Sequence, residues 1–179
     1  MITSILITED ELDAKLMEAL LSSKSLKNVK CISAGGWSSA DSLARSYLTD
    51  RDTRVAIIVD ADSLDENTAE ERKRFLKRSL GQIAESDRWR VVVIKPEVEA
   101  LLFEDQEIIK GLIGTRPSAN DFTRGSFEPK EALKGLLGNK PISKVYERLN
   151  LIDLSPIFDK NLDIKELIDF FQVKQRVAA

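Results

Sequence analysis

Two acidic residues stand directly after one of the most apolar stretches of the chain. Residues 54–59 read RVAIIV, and Asp60 and Asp62 follow. Side chains two positions apart in an extended strand project to the same side, so these carboxylates are predicted to lie close together. Two neighbouring negative charges repel each other unless a cation lies between them. The pair therefore predicts a Mg²⁺ or Mn²⁺ site, and the alternative is an ordinary acidic loop before a helix.

Charged residues also follow two other predicted strands. Glu9 comes after the strand at 2–7, and Lys95 comes after the strand at 89–94. In a parallel sheet the carboxyl ends of the strands meet at one edge. Glu9 is therefore a candidate metal ligand, although acids at the start of a helix are also ordinary. Lys95 is a candidate for stabilising developing charge, or a partner of Glu97 or Glu99 in a salt bridge.

A double glycine follows the second predicted strand. Gly35 and Gly36 precede Ser38, near the expected start of a helix. Glycine lets the backbone approach a ligand closely, and a helix N-terminus can bind phosphate. These three residues are candidates for phosphate contacts, and the alternative is a plain tight turn.

Strands and helices alternate along the first hundred residues. Strands are predicted at 2–7, 28–32, 54–59 and 89–94, and helices at 12–21, 38–48, 68–84 and 98–103. This alternation predicts an α/β fold with a mainly parallel four-stranded sheet and helices on both faces. Residues 1–103 form the predicted domain. Residues 104–179 are predicted to be a small helical extension packed on it, with helices at 129–137, 143–149 and 164–171.

The third predicted helix combines apolar and basic residues. Its apolar positions are predicted to face inward: Phe75, Leu76, Leu80 and Ile83. Its basic residues lie at other positions: Arg72, Lys73, Arg74, Lys77 and Arg78. A nucleic-acid backbone could lie along such a face, and the alternative is a solvated helix surface.

The composition excludes several classes of chemistry. The 179 residues include no histidine and one cysteine, Cys31, and the formal net charge is -3. Histidine-dependent catalysis, disulfides and cysteine-rich zinc sites are therefore excluded. The apolar runs are too short to span a bilayer, and the N-terminus resembles no signal peptide. We expect a cytoplasmic protein whose chemistry depends on carboxylates and lysines.

The order of these motifs resembles that of Toprim domains. In that family a glutamate ends the first strand, a glycine turn follows the second, and Asp-x-Asp ends the third. The matching residues here are Glu9, Gly35 and Gly36, and then Asp60 and Asp62. The family's usual Glu-Gly is here Glu9 followed by Asp10, which leaves Glu11 and Asp13 as alternatives for the glutamate position.

The resemblance extends to small stand-alone Toprim-like proteins. Pro96 and Glu99 match a segment after the fourth strand, and residues 129–133 (PKEAL) match a stretch of the helical tail. Such proteins often accompany ATPases in bacterial anti-phage defence. The resemblance implies a nuclease or nuclease subunit that uses Mg²⁺ or Mn²⁺, acts on DNA or RNA and works with an ATPase partner.

By analogy with that family, each candidate residue has a role. Asp60 and Asp62 would hold the metal ion, and Glu9 would be a further ligand or a general acid or base. Lys95 would assist electrostatically. Metal-bound water would be the nucleophile, because the cation makes it more acidic.

Two other interpretations remain open from the sequence. A receiver-like switch would use Asp60 as its phosphoacceptor, and Lys95 with Pro96 would match the Lys-Pro pair of receivers. Receivers have five strands, however, and four are predicted here. A catalytically inactive Toprim-like module would serve only to bind a partner. Phosphoryl labelling of Asp60 would favour the first, and a lack of metal binding would favour the second.

Overall fold

The sheet has four strands, all parallel, in the order β2-β1-β3-β4. A computed structural model describes residues 3–172, and the strand count refers to that range. The strands are β1 (Thr3–Thr8), β2 (Val29–Ser33), β3 (Thr53–Asp60) and β4 (Trp89–Ile94). The predicted fold class is therefore confirmed. Residues 1–2, which include the predicted start of β1, lie outside the described range, as do 173–179.

The central strand β3 organises the core. All eight of its residues are buried, as expected for a parallel strand covered on both faces. Its side chains alternate between two hydrophobic clusters. Ala56 and Ile58 belong to one cluster, and Val55, Ile57 and Val59 belong to the other. Asp60 ends the strand, so its position is fixed by the packing of the residues before it.

Two helices cover the second of these faces, α2 (Trp37–Leu48) and α3 (Glu66–Gly81). Leu76 and Leu80 of α3 are fully buried, as predicted, and Ile83 packs on their cluster from beyond the helix end. The prediction that Phe75 faces inward is wrong, because 54% of this residue is exposed. A stripe through Ala69, Leu76 and Leu80 already covers the sheet, so the neighbouring position projects away from it.

The other face is covered by α1 (Glu11–Ser23) and by everything after β4. A 3₁₀ helix, Val98–Glu104, follows β4. The later elements are α4 (Gln106–Ile113), α5 (Ala119–Gly125), α6 (Pro129–Leu137), α7 (Ile142–Tyr146), a 3₁₀ turn (Leu149–Leu151), α8 (Ser155–Lys160) and α9 (Leu162–Gln172). Of these, the sequence did not predict α4, α5 and α8.

The helical tail shares its core with the sheet. One hydrophobic cluster includes Leu16 of α1, Ile58 of β3, Leu133 of α6 and Phe171 of α9. The tail can therefore place side chains at the carboxyl edge of the sheet. Within the described part of the chain, no helix is long and apolar enough to cross a membrane.

Candidate metal centre

Glu9 reaches from the end of β1 to the end of β3. The first helix begins with Asp10 as its N-cap, which accepts hydrogen bonds from the backbone N–H groups of Leu12 and Asp13. The cap therefore does not use Glu9. Instead, Oε1 of Glu9 accepts a hydrogen bond from the backbone N–H of Asp60 at 2.8 Å. Of the two alternatives from the sequence, Glu11 lies exposed on α1 and Asp13 is buried.

Asp60 is the residue on which the site converges. It is buried, with 4% exposure. Its Oδ1 accepts a hydrogen bond from the backbone N–H of Val98 at 2.7 Å, and its Oδ2 accepts one from the ammonium group of Lys130 at 2.9 Å. These contacts turn the carboxylate towards the face of the sheet that α1 and the 3₁₀ helix cover.

Asp13 and Glu99 complete a buried acidic cluster with Asp60. One carboxylate oxygen from each of the three residues lies within 4.8 Å of the others. Asp13 and Glu99 are each 1% exposed. Among residues 3–172, Oδ2 of Asp13 and both carboxylate oxygens of Glu99 are buried without a hydrogen-bond partner. Buried polar atoms normally have partners, so this cluster is incomplete as it stands.

The cluster perturbs the acidity of its members. Burial raises the pKa of Asp13 to about 8, and the charges of Asp60, Asp10 and Glu99 add to the increase. Burial likewise raises the pKa of Glu99 to about 7, against an opposing effect of the Lys130 ammonium. The ammonium group of Lys130 therefore compensates the burial of these two carboxyl groups only in part.

A divalent cation fits these residues. Mg²⁺ and Mn²⁺ prefer carboxylate oxygens, and the unpartnered oxygens of Asp13 and Glu99 lie beside Asp60. A cation bound there would give those oxygens the partner that they lack. It would also favour the ionised carboxylates by direct attraction.

Asp62 does not follow the strand alternation from which its position was predicted. The strand ends at Asp60, and Asp62 has a left-handed backbone with φ 53°. Its side chain is 60% exposed and forms a salt bridge with Arg72 of α3 at 2.8 Å. Asp60 is thus turned into the buried cluster, whereas Asp62 lies at the surface.

Glu9 links these two regions electrostatically. Burial raises the pKa of Glu9, and the charges of Asp60 and Asp62 raise it further. The backbone hydrogen bond from Asp60 and the charge of Arg72 act in the opposite direction. The charges of Asp60 and Asp62 therefore act on Glu9, but the carboxylates whose oxygens lie within 4.8 Å of one another are those of Asp13, Asp60 and Glu99.

Lys130 supplies the cation that contacts Asp60. It comes from the first turn of α6, and its Nζ is also 3.7 Å from carboxylate oxygens of Glu97 and Glu99. Burial alone would lower the pKa of Lys130. The hydrogen bond to Asp60 and the charges of Glu99, Asp60 and Glu97 outweigh burial, so the pKa lies above its ordinary value.

The other predicted site residues have different partners. Lys95 forms a salt bridge with Glu66 at the start of α3. The backbone N–H of Gly35 donates to the carbonyl of Glu9 at 2.8 Å, so it ties the second loop to the first. Gly36 is the N-cap of α2, and Ser38 is exposed in its first turn. Their role in phosphate binding stays a prediction.

Asp13 was predicted only as an alternative for the glutamate position, and Lys130 was not predicted as a site residue. Asp13 lies on the apolar face of α1, three, four and seven positions before Leu16, Met17 and Leu20. An acid within an apolar helical stripe is a signal of function, because burying a charge is costly. Lys130 lies 70 positions from Asp60, and no local pattern links them.

A cleft gives access to this edge of the sheet. Its volume is about 490 Å³, and it is lined by Asp62, Pro96, Glu97, Phe127, Glu128, Lys130, Glu131 and Lys134. Because Lys130 and Asp62 belong both to the cleft wall and to the carboxylate region, a substrate in the cleft would lie beside the acidic cluster.

The strand order, together with the carboxylates at the carboxyl ends of β1 and β3, defines a Toprim-like α/β fold, as the resemblance predicted. The C-terminal region of the Burkholderia pseudomallei OLD protein is similar, with 13% identity and a TM-score of 0.65 over 96% of this chain and 98% of that one. The C-terminal region of the Xanthomonas campestris pv. campestris OLD protein is 14% identical, with a TM-score of 0.56 over 94% of this chain and 93% of that one.

No family model and no curated protein matches the sequence. The solved structures therefore establish the fold.

Proposed function

We propose that this protein is a metal-dependent nuclease or the nuclease subunit of a larger system. One observation carries the proposal. Asp13, Asp60 and Glu99 come from three separate segments, yet their oxygens gather within 4.8 Å at the carboxyl edge of the sheet. Several of these oxygens are buried without partners. Such a cluster is costly unless it binds a cation, and Mg²⁺ and Mn²⁺ commonly serve phosphoryl transfer.

Five carboxylates are candidates for the site. Asp13, Asp60 and Glu99 would hold one cation, and Glu9 and Asp62 would extend the site on the other side of Asp60. A divalent cation bound there would polarise a phosphodiester group and make a water molecule more acidic. Glu9, whose pKa burial raises, would accept or donate a proton beside Asp60.

Lys130 takes the role that the sequence analysis gave to Lys95. Its ammonium group contacts Asp60 directly, whereas Lys95 is paired with Glu66. A positive group beside the scissile phosphate would stabilise negative charge that develops in the transition state. Lys130 also neutralises part of the acidic cluster, which would otherwise repel a polyanionic substrate.

The substrate and partners form part of the same proposal. The substrate is DNA or RNA, and an ATPase is the partner in a system of bacterial anti-phage defence. The family resemblance supports these proposals. The similar solved structures are C-terminal regions of longer proteins, so this fold also occurs joined to other protein segments.

The proposal is tested with purified protein and labelled DNA and RNA, in Mg²⁺, Mn²⁺ or EDTA. Asp60→Asn keeps the acceptor for the Val98 N–H but removes the charge, so we expect cleavage to be abolished. We expect Asp62→Asn to reduce cleavage, and Glu147→Gln, an exposed change of the same kind, to leave it unchanged. Cleavage by Asp60→Asn at the wild-type rate would contradict the proposal.

The same preparation separates the alternative interpretations. A wild-type protein that binds neither Mg²⁺ nor Mn²⁺ in calorimetry would be an inactive interaction module. Stable labelling of Asp60 by acetyl phosphate would indicate a switch. We expect metal binding, because buried oxygens of the cluster lack partners. We expect no labelling, because Asp60 is buried and bonded to Lys130.

A further inference from the structure

The surface of α3 carries a dense group of cations around an aromatic ring. Residues 72–78 read RKRFLKR, five basic side chains within seven positions. Phe75 lies among them in sequence and is 54% exposed. On the helix surface Arg78, three positions later, is the basic residue on the side of the ring, whereas Lys77, two positions later, projects to the other flank of the exposed face. We call Arg74, Phe75, Lys77 and Arg78 the α3 patch. In a protein whose net charge is -3, this local reversal of sign identifies a surface suited to a polyanion.

The cations of this helix fall into two sets. Arg72 is bonded to Asp62 and Lys73 to Asp163 of α9, so both have acidic partners. The three basic members of the α3 patch are exposed. An acidic segment of the same chain therefore does not cover the patch within residues 3–172, and its charge is available to a ligand.

The ring of Phe75 is held in place by neighbouring aromatic and basic groups. It packs edge-on against Trp37 at the start of α2, with ring centroids 5.6 Å apart and an interplanar angle of 89°. The guanidinium group of Arg72 lies 5.4 Å from the centre of the Trp37 ring. These contacts support the ring from one side and leave it largely exposed.

The α3 patch adjoins the candidate metal centre. Arg72 donates hydrogen bonds to the backbone carbonyl of Asp60 and to the carboxylate of Asp62. From Arg72 to Arg78 the helix rises roughly 9 Å, at about 1.5 Å per residue. A strand that follows the patch towards Arg72 would therefore approach the site from the side of Asp62, to which Arg72 is bonded.

We propose that the α3 patch binds a single-stranded polynucleotide and guides it to the metal centre. Phe75 would stack on a base, and Arg74, Lys77 and Arg78 would contact phosphates. Exposed aromatic rings within basic grooves are the usual means of binding single strands, and bases within a duplex are already stacked on one another. The guiding role depends on the proposed nuclease function, whereas the binding does not.

Binding is measured by fluorescence anisotropy with labelled oligo-dT and oligo-U in EDTA, where no cleavage occurs. Lys77→Glu with Arg78→Glu removes two phosphate contacts, so we expect the slope of log K against log salt to decrease by about 1.4. The matched control is Lys27→Glu with Lys30→Glu. It makes the same change in net charge at the opposite edge of the sheet, and we expect the wild-type slope.

The role of the ring is tested separately. Phe75→Ala should weaken oligonucleotide binding roughly 5- to 150-fold, the range found for loss of one base stack. Phe75→Leu keeps an apolar side chain but no ring, and it should lose most of the same affinity. Because Trp37 contacts Phe75, we also expect the tryptophan fluorescence of wild type to change on binding, and to change much less in Trp37→Phe, which keeps only Trp89.

Three results would overturn the inference. They are unchanged affinity in both the charge-reversal and Phe75 variants, an equal loss in the Lys27 and Lys30 control, and tighter binding of a duplex than of single strands. If the α3 patch bound an acidic protein and not a polynucleotide, we expect the unchanged affinity for oligonucleotides. Failure of the nuclease proposal would be distinct, because wild type would then not cleave in Mg²⁺ or Mn²⁺ whatever the outcome in EDTA.

Discussion

Replacing Asp13 with asparagine removes one of the three carboxyl groups of the buried cluster while keeping the size of the side chain. In the folded protein the pKa of Asp13 is about 8, against an ordinary value of 3.8. Between these values the folded state holds a proton that the unfolded state releases. Stability in the absence of metal therefore falls as pH rises through this range.

The size of the effect follows from the pKa values. Each pH unit in that range costs roughly 1.4 kcal/mol for one such group, which gives at most about 4 kcal/mol for Asp13 at pH 7. Glu99, with a pKa of about 7 against 4.5, contributes in the same direction from about pH 4.5 to 7. We expect Asp13→Asn to be more stable than wild type at pH 7 in EDTA. The difference in stability between the two proteins should be larger at pH 7 than at pH 4.

The assay is urea unfolding in EDTA at several pH values from 4 to 8, with Glu147→Gln as the control for an exposed acid. The difference between Asp13→Asn and wild type should grow by up to about 1.4 kcal/mol per pH unit. With Mn²⁺ present the order should reverse, because wild type gains binding energy that the variant has lost. A difference that is the same at pH 4 and pH 7 would refute the assignment of a buried, metal-free acidic cluster.

Two further predictions concern the site and a third concerns the packing of α5. Lys130→Met removes the cation beside Asp60, so we expect cleavage to fall at least tenfold. Binding of Mn²⁺ in calorimetry should stay as in wild type, and unchanged cleavage would exclude Lys130 from the reaction. Binding of Mn²⁺ at pH 6 should release protons, up to about two because Asp13 and Glu99 are then protonated, and heats that do not depend on the buffer would contradict this. Gly125→Ala would place a Cβ 2.0 Å from the Phe103 ring, so it should destabilise the protein by about 1–3 kcal/mol in urea unfolding, whereas Gly135→Ala, with open space around it, should not.

The strands could be predicted from the sequence because they depend on local patterns. The proximity of Glu9 to Asp60 could be predicted because it follows from the parallel arrangement of those strands. The run before Asp60 is apolar enough to be a central strand, and parallel strands bring their carboxyl ends to one edge. The direction of the Asp62 side chain could not be predicted from strand alternation. That rule applies only within a strand, and this strand ends at Asp60.

The rest of the site depends on contacts between distant segments. Glu99 lies in the 3₁₀ helix and Lys130 in α6, and tertiary packing of the helical tail brings both to the sheet. Lys95 was predicted because it follows β4 directly, but it forms a salt bridge with Glu66 at the start of α3 instead. For Phe75, an apolar residue type predicted burial, whereas the helix already had enough apolar positions to cover the sheet.

The most direct test is a crystal structure of the protein grown with Mn²⁺, with anomalous data collected at the manganese edge. The account predicts a manganese peak among Asp13, Asp60 and Glu99, about 2.0–2.2 Å from at least two of their carboxylate oxygens. Absence of a peak there at millimolar Mn²⁺, with the three side chains still gathered around the site, would contradict the central claim.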